Sequence, residues 1–276
     1  MKIRIASQNY NLDQEILLMA ILNVTPDSFS DGGKFLNPDS ILQLIDQCNQ
    51  NHVDIIDVGG ESSRPGSEPV SLDEELERTI PVIELIRNHS NCHISIDTTK
   101  SQVAKSALKA GAVMVNDISA GRQDPEILSI AAEYESAFVL MHMQGQPKTM
   151  QENPQYTDLF SELTEFYKER IDTCQRVGLD QLIIDPGIGF GKTFAHNFQL
   201  INGIGKLSDL NQPILIGASR KAFLAGPDNL QAAQRETATV IVHSQAILNG
   251  ARLVRTHDVI SGRRMINVCS ELLANR

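Results

Sequence analysis

The chain has 276 residues, 41% of them hydrophobic, enough to bury one barrel-sized core or two small ones. Its 24 Lys and Arg against 34 Asp and Glu give a formal net charge of -10, which argues against a general nucleic-acid or anionic-membrane surface. No apolar run reaches membrane-spanning length and no signal peptide is read. Cys48, Cys92, Cys174 and Cys269 form no CxxC, so the expectation is reduced thiols in the cytoplasm.

The first dozen residues predict a short strand or hairpin over a barrel floor. From there short apolar runs alternate with longer amphipathic ones. The predicted strands are "LLMAILN" (17–23), "VDIIDV" (53–58), "HISID" (93–97), "AVMVND" (112–117), "AFVLMH" (137–142), "LIID" (182–185), "PILIGAS" (213–219) and "RLVRTH" (252–257). Helices are predicted over 39–50, 72–88, 100–110, 124–134, 157–177, 194–207, 231–249 and 258–274. Ser71 and Glu74 predict a capping box at the second of these, and Pro81 a kink inside it. A helix end falls between His89 and His93, so their spacing does not read as a zinc pair. Eight strands, each followed by a helix, predict an α/β fold: a single (β/α)8 TIM barrel over residues 1–276, with an open doubly wound sheet as the alternative.

In such a barrel the chemistry gathers at the C-terminal ends of the strands. Those ends carry Asn23, Asp57 before "GGESSRPG", Asp97, Asn116 with Asp117, His142, Asp185, "SRK" at 219–221, and Arg255 with His257. Asp97, Asn116 and Asp185 offer acceptors and an amide to the edge of a planar heterocycle. Asn23, Arg255 and His257 offer an oxygen and two donors, suited to phosphate with a hard metal ion. Arg64 and Lys221 are further cations, and Phe29 and Phe190, on glycine-flanked loops, could stack on a flat ring. The run "LIIDPGIGFGKT" (182–193) is not a P-loop. Pro186 stands where that pattern needs its first Gly, and it removes a backbone N–H that a phosphate would use.

The motifs "MAILNVTPDSFSDGG" (19–33), "DVGGESSRPG" (57–66), "SIDTTK" (95–100), "NDIS" (116–119), "LMHMQGQPKTMQ" (140–151), "DPGIGFGK" (185–192), "GASRK" (217–221) and "RTHDV" (255–259) resemble the dihydropteroate synthase family in order and spacing, across essentially the whole chain. That family condenses 7,8-dihydropterin-6-ylmethyl diphosphate with 4-aminobenzoate in folate biosynthesis, releasing diphosphate, and is a sulfonamide target. The resemblance implies that Asn23, Ser63, Asp97, Asn116, Ile118, Met141, Asp185, Gly217, Lys221, Arg255 and His257 bind the pterin diphosphate. It implies that Phe29, Ser63, Pro65, Phe190, Lys221 and Ala222 line the aminobenzoate pocket. Asp31, Arg64, Lys221, Arg255 and His257 are the implied catalytic groups, Asn23 the implied ligand of Mg2+, and a cytoplasmic homodimer the implied assembly. Ser63 stands where many members have Thr, and Ala222 where many have Ser, which leaves a backbone N–H to meet the aminobenzoate carboxylate. The competing readings are a pterin-binding methyltransferase and a non-catalytic pterin-binding homologue.

Overall fold

The computed structural model describes residues 1–24, 38–62, 67–146, 148–226 and 228–275. An N-terminal antiparallel hairpin pairs β1 (Lys2–Ile5) with β2 (Gln8–Asn11). Eight parallel strands then alternate with helices. They are β3 (Leu17–Asn23), β4 (Ile55–Gly59), β5 (His93–Asp97), β6 (Met114–Asp117), β7 (Ala137–Met141), β8 (Leu182–Asp185), β9 (Leu215–Ile216) and β10 (Leu253–Thr256). The helices are α1 (Pro38–Gln50), α2 (Leu72–His89), α3 (Ser101–Ala110), α4 (Glu126–Glu133), α5 (Leu159–Arg176), α6 (Phe194–Gly203), α7 (Glu236–Leu248) and α8 (Val259–Ala274).

The strand order β8-β7-β6-β5-β4-β3-β10-β9 closes on itself through a parallel bridge between Ile184 and Ile214, with Ile184 N donating to Pro213 O at 2.9 Å. This is the (β/α)8 barrel that the alternation predicts, and the doubly wound sheet is excluded. Strand side chains alternate between two cores. Leu17, Met19, Ile55, Met114, Val139, Ile183, Leu215 and Leu253 pack inside the barrel, against Ile3, Ile5, Tyr10 and Leu12 of the hairpin region, which plugs the floor as expected. The residues between them, such as Leu18, Ile56, Val115, Leu140, Ile184 and Val254, pack outward against the helices.

Three local expectations change. Ser71 accepts from Glu74 N at 3.3 Å, but the Glu74 carboxylate pairs with Arg78 instead of completing the capping box. The helix α2 carries Pro81 within its span Leu72–His89. The helices expected over 194–207 and 231–249 shorten to Phe194–Gly203 and Glu236–Leu248, with a 3-10 segment at Ile204–Leu210 after the first and at Ala232–Gln234 before the second. The strand expected over 213–219 shrinks to Leu215–Ile216, because Ala218 N donates to His243 Nε2 on α7 at 3.0 Å rather than to a neighbouring strand.

Candidate active site

Because inward-facing positions recur every second residue, continuing the Leu17, Met19, Ile55 and Met114 rows brings Asn23, Asp57, Asp97, Asn116, Met141, Asp185, Gly217 and Arg255 to the C-terminal mouth. At the centre, Arg255 donates from Nε to Asp57 Oδ2 at 2.6 Å and from Nη2 to Asp97 Oδ2 at 2.8 Å. Asn116 donates from Nδ2 to the same Asp57 oxygen at 2.9 Å. Asp57 is wholly buried, and its Oδ1 has no hydrogen-bond partner among the described residues. Asp57 therefore fixes both a cation and an amide of the site. Sequence reasoning placed it at a strand end without giving it a role, although its spacing two residues beyond the inward Ile55 marks it.

Burial pushes the Asp97 carboxyl up to about 7, Arg255 opposing the shift and Asp57 adding to it. Burial also works against the Arg255 guanidinium, but Asp57 and Asp97 outweigh it and hold the cation charged. Asp185 is buried at the end of β8, its Oδ1 accepting from Gly187 N at 2.8 Å. Its backbone oxygen is held by Tyr167 Oη at 2.5 Å and by His142 N at 3.0 Å. Burial raises the Asp185 pKa against the pull of Lys221. Lys221 is in turn pushed down by burial to about 8, with Asp185 opposing.

Lys221 bonds the Ile188 carbonyl and lies 4.3 Å from the centre of the Phe190 ring. It follows Arg220, whose φ of 58° lies in the left-handed region that non-glycine residues seldom adopt. Arg220 is held there from α7 and the turn before it, by Thr239 Oγ1 on its N–H at 3.1 Å and Arg235 Nη1 on its carbonyl at 2.9 Å. Strain fixed in this way aims Lys221 at the mouth. His257 Nδ1 meets Ser219 Oγ at 2.9 Å, joining the ends of β9 and β10. Asn23 ends β3 beside Gly59, where an added Cβ would lie 3.5 Å from Asn23 Oδ1 and 3.7 Å from Asp97 Oδ2. Met141, Met143 and Met150 form a small apolar wall with Ile118 and Phe190. Gly217 leaves room beside Arg255 and Asp185, and the exposed Ala222 opens the 3-10 turn Ala222–Leu224.

Two strand-end residues do not join the site. Asp117 and His142 sit one residue out of phase with the inward rows. Asp117 is buried outside the barrel, where its carboxylate accepts from Ser119 N at 2.7 Å and Gly121 N at 2.6 Å. His142 bonds Lys192 instead. Phe29, Asp31, Ser63, Arg64 and Pro65 lie outside the described residues. Among the described residues no group of three or more His, Cys, Asp or Glu could hold a metal ion, and no helix is long and apolar enough to cross a membrane.

Residues 19–257 match the family model described as pterin binding enzyme. The chain is 44% identical to the dihydropteroate synthase of Synechocystis sp. over 258 residues, 92% of this chain and 89% of that one. It is 42% identical to the Escherichia coli dihydropteroate synthase over 247 residues, 88% and 86% of the two chains. The Yersinia pestis dihydropteroate synthase, solved with a sulfonamide drug, superposes with a TM-score of 0.92 at 38% identity, covering 99% of this chain and 100% of that one. The Xanthomonas albilineans dihydropteroate synthase, solved with 4-aminobenzoic acid, gives 0.90 at 37% identity, covering 99% and 98%. With its described strand-end residues on the barrel mouth and this likeness running through nearly its whole length, the chain belongs to the pterin-binding enzyme family, among the dihydropteroate synthases.

Proposed function

We propose that the chain condenses 7,8-dihydropterin-6-ylmethyl diphosphate with 4-aminobenzoate, giving 7,8-dihydropteroate and diphosphate. The observation that carries this reading is the convergence of Asp97, Asn116 and Asp185 with Arg255 and Lys221 in one buried mouth. Two carboxylates and an amide supply acceptors to the N–H edge of a pterin, and the cations stand beside them for an anion. Ile118 and Met141 offer apolar contact to the ring, and Gly217 leaves room for it to approach. Phe190, Lys221 and Ala222 take the aminobenzoate, together with Phe29, Ser63 and Pro65. Arg64 and Asp31 complete the set.

In the reaction, the bond between the exocyclic methylene carbon and the diphosphate oxygen breaks, and its electron pair leaves with diphosphate. The electron-rich dihydropterin stabilises the cation left behind. The amino nitrogen of aminobenzoate then forms the new bond and loses a proton. Arg255 and His257 meet the charge that builds on the leaving group. No enzyme nucleophile is needed.

Asn23 fits a magnesium ion that arrives with its substrate. It supplies a single neutral oxygen at the mouth, no three-carboxylate cage stands near it among the described residues, and Mg2+ is commonly held by few protein ligands plus phosphate oxygens. When bound, the ion would neutralise leaving-group charge. The exposed apolar residues Ile241 on α7 and Val268 and Leu272 on α8 support a homodimer, which sedimentation would detect and Val268→Glu with Leu272→Glu would dissociate. The scattered unpaired cysteines support a cytoplasmic setting.

Diphosphate release with both substrates present tests the reaction. A methyltransferase or a non-catalytic homologue would bind the pterin and release none.

A further inference from the structure

Resting on that reading, we propose that Lys192 is a positioning residue for the second substrate: its buried ammonium ties the loop after β8 to the chain leaving β7, and so fixes where Phe190 stands. Lys192 is only 1% exposed, a costly place for a cation unless each of its N–H groups is met. Three acceptors meet them. Nζ lies 3.0 Å from His142 Nδ1, 3.0 Å from the Phe190 carbonyl and 3.3 Å from the His142 carbonyl. Nδ1 can accept only from a neutral ring. Burial, with Lys192 and Arg122 adding, pushes His142 down to about 2, so the ring is neutral. Burial also pushes Lys192 down to about 7, against the pull of Asp185, and the Tyr156 ring lies 6.0 Å from Nζ.

The loop needs such a tie because of how it packs. Gly187 and Gly191 have φ of 65° and 59°. A Cβ on them would lie 1.9 Å from the His142 carbonyl oxygen and 2.3 Å from the Gln144 carbonyl oxygen. The two chain segments therefore touch backbone to backbone, with no interlocking side chains at those points to set their register. Hydrogen bonds set it there, beside the packing of the Phe190 ring on Met141, Met143 and Met150. Gln151 Nε2 holds the Gly189 carbonyl at 2.5 Å, Tyr156 Oη the Gly191 carbonyl at 2.8 Å, and Asn197 Oδ1 accepts from Gly189 N at 2.7 Å. The Phe190 carbonyl belongs to Lys192, which reaches the carbonyl of His142 as well. Methionine would fill much of the same volume, but it could not bond carbonyls of two segments at once.

The test compares wild type, Lys192→Met and the double variant Lys192→Met with His142→Leu in steady-state diphosphate release. The double variant replaces a buried polar pair by an apolar one, which leaves no unpaired cation or ring nitrogen behind. The expected result is an aminobenzoate KM raised about tenfold or more, with kcat and the pterin diphosphate KM changed less than about twofold. A purely structural lysine would instead lower the melting temperature and move all three constants together. That pattern, an unchanged aminobenzoate KM, or failure of both variants to fold would overturn the proposal. A wild-type chain that releases no diphosphate sinks the reading of the site itself, whereas an active wild type beside indifferent variants sinks this role alone.

Discussion

Asp185→Asn isolates the acceptor role of β8. In the structure Asp185 Oδ1 accepts from Gly187 N at 2.8 Å, and an asparagine in the same rotamer keeps that bond through its carbonyl oxygen. Its NH2 then stands where Oδ2 stood, so a pterin N–H meets a donor in place of a carboxylate oxygen. The loss is that of a hydrogen bond to a charged group, about 1.5–3 kcal/mol. At about 1.4 kcal/mol per tenfold, pterin affinity falls about 10- to 140-fold. Stability should change by no more than about 1 kcal/mol, since burial already disfavours the Asp185 charge and the neutral amide sheds that cost as it gives up the pull of Lys221. Calorimetric titration of the pterin into a variant shown to be folded by its thermal transition measures the effect without the second substrate. Wild-type affinity in that folded variant would refute the assignment of Asp185 to the heterocycle.

Removing the cation has a different signature. Arg255→Ala should abolish turnover and the diphosphate-dependent binding of aminobenzoate, and it should cost about 3 kcal/mol of stability, because Asp57 and Asp97 lose the partner they share. Normal aminobenzoate binding in the presence of diphosphate would move the anion site elsewhere. Protonation acts on the other substrate. Burial raises Asp97 to about 7, so the carboxylate form that accepts pterin N–H groups fills as pH rises through that value, and pterin affinity should fall as pH drops below it. Titrations between about pH 5.5 and pH 8 read this directly, and a flat profile would contradict it. Chelation of divalent cations should stop diphosphate release, with added Mg2+ restoring it; full activity in excess chelator would remove the ion from the site.

Much of this architecture was legible because strand period and site position coincide. The rows that bury Leu17, Ile55, Met114 and Ile183 inside the barrel are the same rows that end on Asn23, Asp57, Asn116 and Asp185. Reading strand ends by position alone swept in Asp117 and His142, whose phase sends them outward. The role of Asp57 was not legible, because it depends on Arg255 and Asn116 reaching across from strands far away in the chain. Nor was that of Lys192, which lies in a motif whose glycines draw attention to phosphate. Its partner His142 comes from the preceding strand end, 50 residues earlier. The shortening of the 213–219 strand had a similar cause. A histidine on α7 takes the Ala218 N–H, and nothing local to "PILIGAS" announces it.

The charges at the mouth bear on the order of binding. Arg255 is shared by two carboxylates of different burial: Asp57, at the Nε end, is wholly buried, while the Asp97 side chain keeps 14% of its exposure. On the proposed reaction the pterin edge competes with Arg255 for Asp97 and leaves the Asp57 contact in place. The guanidinium then stays tethered at Nε while Nη2 loses its partner beside the incoming diphosphate. A pterin without its diphosphate would break the Arg255–Asp97 pair and return nothing to the cation, whereas the complete first substrate supplies both the donors that Asp97 needs and the anion that Arg255 needs. Aminobenzoate supplies a single carboxylate and no N–H edge shaped for Asp97, so it has nothing to exchange for that ion pair. The geometry therefore favours the pterin diphosphate as first to bind. On that reading leaving-group departure would begin with Arg255 already on the diphosphate, so stabilisation would be present when the charge develops and no reorganisation would be needed at that moment.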